Sequence, residues 1–95
     1  MGRTVVIADT TQAARHALAG DPALAILDLH ADAIDWRSVV ATAKERNVPV
    51  LAFGRHTDAD LLRAARDAGC DRVVPRSTLA ADLPQLIEEL AGGRA

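Results

Sequence analysis

Two kinds of stretch alternate along the chain: short aliphatic or β-branched runs, and longer stretches whose apolar residues recur every three or four positions. The first run, T-V-V-I-A at residues 4–8, ends at Asp9, and Thr10 and Thr11 are good N-caps for a helix. Ala13, Ala14, Ala17 and Leu18 then repeat at helical spacing up to Gly20, which is expected at the C′ position, and Asp21-Pro22 breaks the helix. Residues 23–29, A-L-A-I-L-D-L, are too few for a helix and read as a second strand. Asp35 caps a helix whose inner stripe is Trp36, Val39, Val40 and Ala43; it closes near Asn47, and Pro49 prevents its continuation. A third strand covers 50–53 and ends at Gly54. The next helix takes Thr57 as N-cap, Asp60 at the third position and Leu61, Ala64, Ala65 and Ala68 as its apolar face, and stops at Gly69. The fourth strand is 72–75. The last helix starts at Asp82, which has Gln85 at capping-box distance and Pro84 in a first turn that tolerates it; Leu83, Leu86, Ile87 and Leu90 form the stripe and Gly92-Gly93 the end.

The resulting β-α-β-α-β-α-β-α pattern predicts one α/β domain over residues 1–95, with a parallel sheet and helical crossovers. Right-handed crossovers stepping in one direction give strand order 1-2-3-4 and put the first three helices on one face, leaving only the last for the other. Four strands span about 14 Å between outer axes, whereas a helix is roughly 10–12 Å across, so a strip of the second face is expected to stay bare. Both faces read apolar, with Val5 and Ile7 on one and Val6 on the other, then Ala25 and Leu27 against Leu24 and Ile26. A bare apolar strip is an association surface, and a homodimer or a protein partner on the face of the last helix is expected.

Composition narrows the function. Ninety-five residues hold one small domain, and 49% hydrophobic residues with 25% charged exclude a disordered chain. Phe53 and Trp36 are the only aromatic residues, so the core is built from Ala, Val, Leu and Ile and is thin. Eleven basic and thirteen acidic side chains, net charge -2, carry the wrong sign for a domain that binds nucleic acid through phosphates. The single cysteine, Cys70, excludes an internal disulfide and a cysteine-based zinc site, and fits a reducing compartment. No run reaches the ~18 apolar residues of a membrane span, and residues 1–3 lead into a strand pattern rather than a signal sequence, so a cytoplasmic location is expected.

Ligands of parallel sheets sit outside the carboxyl ends of the strands, where this chain places Asp9, Asp28, His30, Gly54, Arg55 and Arg76. From residue 23 onward the chain resembles the receiver domain of two-component response regulators, the CheY-like family: L-A-I-L-D-L at 24–29, P-V-L-A-F at 49–53, A-A-R-D-A-G-C-D at 64–71 and V-V-P-R at 73–76 match in order and spacing. The resemblance implies a flavodoxin-like three-layer sandwich, reduced here to four strands and four helices because about one β-α unit is missing. Either the family's first strand is kept and its second unit deleted, or the chain starts at the family's second strand. The resemblance puts Asp28 in the phospho-acceptor place, facing a histidine kinase as donor, with Asp9 and Asp28 as candidate Mg²⁺ ligands.

That chemistry needs a divalent cation to offset charge on the transferring oxygens, together with a hydroxyl and a cation to hold the product. Where the family has an acidic pair this chain has Ala8 and Asp9; Gly54 stands at the Ser/Thr switch position, Arg76 at the conserved-lysine position, Ser77 in place of the proline after it, and Trp36 in place of a glycine. Those departures favour a pseudo-receiver: a non-enzymatic signalling module that works by association, with no cofactor, over an active phospho-acceptor that uses Asp28 with Mg²⁺.

The remaining candidates read blandly. His16, His30 and His56 are expected to be surface or loop histidines, and Cys70 buried filler. Arg55, Arg63, Arg66, Arg72 and Arg76 form either a solvated face or a partner surface. Asp28-Leu29-His30 also resembles the D-x-H-x-x-G motif of cobalamin-binding domains, but Ala33 replaces its glycine and the chain is too short to enclose a corrin.

Overall fold

The computed structural model describes residues 4–92, so the expected helix end at Gly93 lies outside the described residues. Within them the order is β1 (Val5–Ala8), α1 (Thr11–Leu18), β2 (Leu24–Asp28), α2 (Trp36–Glu45), β3 (Val50–Gly54), α3 (Ala59–Ala68), β4 (Arg72–Pro75) and α4 (Arg76–Ile87), and a π-helical turn, Glu88–Gly92, extends α4. The four strands form one parallel sheet in the order β1-β2-β3-β4, the order expected of right-handed crossovers that step in one direction.

The register sorts the side chains into two cores. Val5 pairs with Leu24, Ile7 with Ile26, Asp28 with Phe53 and Phe53 with Val74. On one face Ala25, Leu27, Val50, Ala52 and Val73 pack against Ala14 and Leu18 of α1, Val39, Val40 and Ala43 of α2, and Leu62 and Ala65 of α3. On the other face Leu24, Ile26, Leu51, Phe53 and Val74 meet Leu86, with Leu79, Leu83 and Leu90 around them.

The helix starts and stops have local causes. Thr10 caps α1 by accepting the Ala13 N–H, and Asp35 caps α2 by accepting that of Ser38. Gly69 ends α3 at φ 110°, a left-handed conformation suited to glycine. After α1 Gly20 stands at C′, following the cap Ala19, as expected, and the left-handed residue is the next one, Asp21 (φ 53°). Two expectations need correction. Asp58, not Thr57, caps α3, and the stripe rotates with it: Leu62 and Ala65 are buried, while Leu61, Ala64 and Ala68 are only half-buried. And α4 begins directly after β4 at Arg76, six residues before the expected start. Asp82 nevertheless leaves helical geometry (φ -117°, ψ 15°), so the break read from Asp82 and Pro84 is a kink inside a longer element.

The bare strip is narrower than strand and helix widths suggest. Leaving the carboxyl end of β4, α4 and its π-helical turn run back along the sheet until Leu90 and Ala91 join the cluster that holds Val5 and Leu24. That path leaves open only the corner at the carboxyl end of β1, where Ile7 is 70% exposed, the one exposed large hydrophobic side chain among the described residues. The outer edge of β1 has no strand partner among the described residues.

Candidate functional site

The carboxyl ends of β2, β3 and β4 converge on Asp28. Its strand position gives it the side-chain parity of Leu24 and Ile26, toward the α4 face, in register with Phe53. One carboxylate oxygen accepts the His30 backbone N–H at 2.9 Å, an Asx-type contact two residues along the chain. The other lies 3.3 Å from the Arg76 guanidinium, whose carbon sits 5.0 Å from the centre of the Phe53 ring. With Asp28 31% and Arg76 60% exposed, this ion pair is screened by water and contributes at most about 1 kcal/mol. Its role is positional: it closes β2 onto the start of α4.

The loop after β2 is fastened on two sides. Leu29 N–H donates to the Phe53 carbonyl, and the Arg55 N–H donates to Nε2 of His30 at 3.0 Å. Farther along, Thr11 of α1 bonds the Ala33 carbonyl through its N–H and hydroxyl, and its hydroxyl oxygen accepts the Asp35 N–H. Gly54 is buried beneath this loop. A Cβ there would lie 3.1 Å from His30 Nε2 and 3.2 Å from a Leu62 methyl, so the imidazole fills the space into which a side chain at this position would grow.

The structure thus brings Asp28, Gly54 and Arg76 to one end of the sheet, together with His30, which the sequence places just after the second strand and reads as a surface or loop histidine. Its N–H contact follows the short D-x-H spacing, but its bond to Arg55 spans 25 residues and has no local signature. Asp9, exposed, follows Ala8, which is in register with Leu27. Both Asp28 oxygens already have partners, one of them a cation, the second acid is alanine, and no group of three His, Cys, Asp or Glu side chains among the described residues is arranged to hold a metal ion.

The other candidates lie apart from Asp28, and Cys70 is half-buried rather than buried. His16 and His56 are exposed. Burial, and then Asp71, push the Cys70 thiol up to about 11 against the opposing pull of Lys44, and the net shift favours the protonated thiol. Arginines of the candidate patch have partners within the fold: Arg63 pairs with Asp60, Arg72 with Glu89, and Arg66 donates to the Val73 carbonyl. A cleft lined by Lys44, Asn47, Val48, Pro49 and Asp71 lies toward the opposite, amino ends of β3 and β4.

A four-stranded parallel sheet in the order 1-2-3-4 between helices is an α/β, flavodoxin-like fold of the kind CheY-like receiver domains have, with one strand fewer than their 2-1-3-4-5 order. Among solved structures the chain is similar to the BeF3-activated receiver domain of nitrogen regulatory protein C, with a TM-score of 0.64 and 18% identity over 98% of this chain and 98% of that one. The likeness is one of fold. No family model and no curated protein matches the sequence. No described helix is long and apolar enough to cross a membrane.

Proposed function

We propose that this chain is a non-enzymatic, receiver-like signalling module that acts by protein–protein association and not by aspartyl phosphorylation. The observation that carries this reading is the committed state of Asp28: one oxygen on the His30 amide, the other on Arg76, and an imidazole in place of a hydroxyl beside Gly54. Phosphoryl transfer to a carboxylate needs a cation on the transferring oxygens and a donor to hold the product. Arg76 alone cannot supply both while it is paired with the nucleophile. The association surface is the corner with Ile7 and the open edge of β1, which offers unpaired backbone groups to a second chain.

One observation favours the other reading, an active phospho-acceptor: Asp28 keeps 31% exposure at the carboxyl end of its strand. Intact mass spectrometry after incubation with Mg²⁺ and acetyl phosphate separates the two. The expected spectrum is unchanged from the starting protein. A single phosphoryl adduct, absent from Asp28→Asn, would make this a working receiver. Sedimentation across a dilution series then tests a second copy as the partner: self-association should weaken in Ile7→Lys, and a chain that stays monomeric at high concentration assigns the surface to a different protein.

A further inference from the structure

In a parallel pair, alternate residues of a strand turn their backbone N–H and C=O toward the neighbour. The Thr4 carbonyl accepts the Ala23 N–H, so Thr4, Val6 and Ala8 turn their backbone groups toward β2. Val5 and Ile7 turn theirs outward, which puts two N–H and two C=O groups on the edge of β1 that has no strand partner among the described residues. Most devices that keep edge strands apart are missing there. The strand V-V-I-A holds no proline and no charge, and its register runs from Val5 beside Leu24 to Ala8 beside Leu27 without a bulge. Its one guard is its length of four residues.

We propose that a second copy of this chain covers that edge, its β1 running antiparallel to the first about a two-fold axis at Val6, so that two four-stranded sheets become one. The inference rests on the association reading and names the occupant of the surface that reading assigns. Closed pairs of identical chains are two-fold, and a two-fold between like edges makes them antiparallel. With Val6 on the axis, Val5 lies opposite Ile7 of the partner subunit, and each such pair exchanges two N–H···O bonds. Four bonds then satisfy all the outward groups of both copies, while Val6, whose backbone serves β2, takes the non-hydrogen-bonded place. An axis at Val5 or at Ile7 would leave part of each edge unpaired within β1. On the α4 face Ile7, 70% exposed in the single chain, packs across Val5 of the partner subunit. The charges agree with this register. Arg3, outside the described residues, and the exposed Asp9 each stand three positions from Val6 in the sequence, so the axis sets position 3 of one copy against position 9 of the other. Opposite charges meet at both ends of the pair, whereas a parallel pairing in register would set like against like.

Amide hydrogen exchange of the whole chain, read residue by residue by NMR across a dilution series, tests it. At millimolar concentration the Val5 and Ile7 amides should be protected and should lose that protection on dilution to low micromolar, while Val6 and Ala8, held by β2, stay protected throughout. Ile7→Pro removes an outward donor that the single chain does not use, a change an edge strand tolerates. It takes two of the four bonds from the dimer, so the dissociation constant should rise about 25-fold, at roughly fivefold per bond. Charge reversal reads the register. Arg3→Asp and Asp9→Arg should each weaken self-association, and the two variants mixed should form a heterodimer tighter than either homodimer. Val5 and Ile7 amides that exchange equally fast at both concentrations, or a mixture no tighter than its parts, would overturn the edge pairing. Neither result bears on Asp28, and a phosphoryl adduct there, which would defeat the association reading, leaves the exchange pattern unchanged as a test. The wild-type exchange decides the matter even if a variant does not fold.

Discussion

Leu51→Ala should destabilise the fold by about 3–5 kcal/mol, the cost of a fully buried leucine and the cavity it leaves. Leu51 is 0% exposed at the centre of β3, on the face where Leu24, Ile26, Phe53 and Val74 meet Leu86. That face is covered only by α4 and its π-helical turn, so no second helix can shift to refill the void. A domain of this size has about 5–14 kcal/mol in total. The substitution therefore removes a large share of it, and urea unfolding followed by circular dichroism should show a midpoint far below that of the parent. Ile7→Ala is the natural control: at 70% exposure it should change stability by less than about 0.5 kcal/mol. Equal losses at the two positions would mean that Leu51 is not the centre of this core.

Gly69→Ala is the second large effect expected, about 1–2 kcal/mol, the penalty for holding an L-residue in left-handed geometry. At φ 110° the Gly69 N–H donates back to the last turn of α3. Its carbonyl accepts from Lys44 of α2, and a Cβ there would lie 2.5 Å from that lysine's Cδ. The lysine side chain can swing aside; the backbone cannot. Gly20→Ala gives the contrast, because Gly20 lies outside the left-handed region and a Cβ there meets only the Ala17 carbonyl oxygen at 3.4 Å. It should leave stability unchanged or raise it by about 0.4–1 kcal/mol through the unfolded state. Thermal melts of the two variants side by side measure this directly.

The parts of the fold legible in the sequence are those with local causes. Each strand is a short apolar run closed by a polar residue, glycine or proline, and the strand order follows once right-handed crossovers step in one direction. Thr10, Asp35 and Gly69 end helices by contacts within a few residues, and all three are readable. What escapes depends on tertiary context. The first turns of α4, residues 76–81, carry little apolar pattern apart from Leu79; the helix forms there because Leu79 packs beside β3 and β4. Moving the α3 cap from Thr57 to Asp58 turns Leu62 inward, a shift that periodicity with two adjacent leucines does not resolve.

At the site, Asp28, Gly54 and Arg76 are legible from strand ends and the family pattern. His30 is legible as a strand-end residue but its bond to Arg55 is not, since the two positions are brought together only by β2 lying beside β3. Phe53 as a platform for Arg76 escapes for the same reason: it depends on the start of α4 folding back over the sheet.

The strand order itself has a bearing on ligands. In doubly wound sheets a crevice opens where neighbouring strands send their connections to opposite faces, a topological switch point. Here the chain leaves β1, β2 and β3 toward the same face, and only after β4 does it turn to the other. The sole switch point among the described strands therefore falls between β3 and β4, one strand away from Asp28, and the Arg76 guanidinium stands over Phe53 beside it. For the association module proposed above, an aspartate displaced from that crevice, with an arginine beside it, would belong to a surface read by another protein and not to a pocket entered by a small molecule.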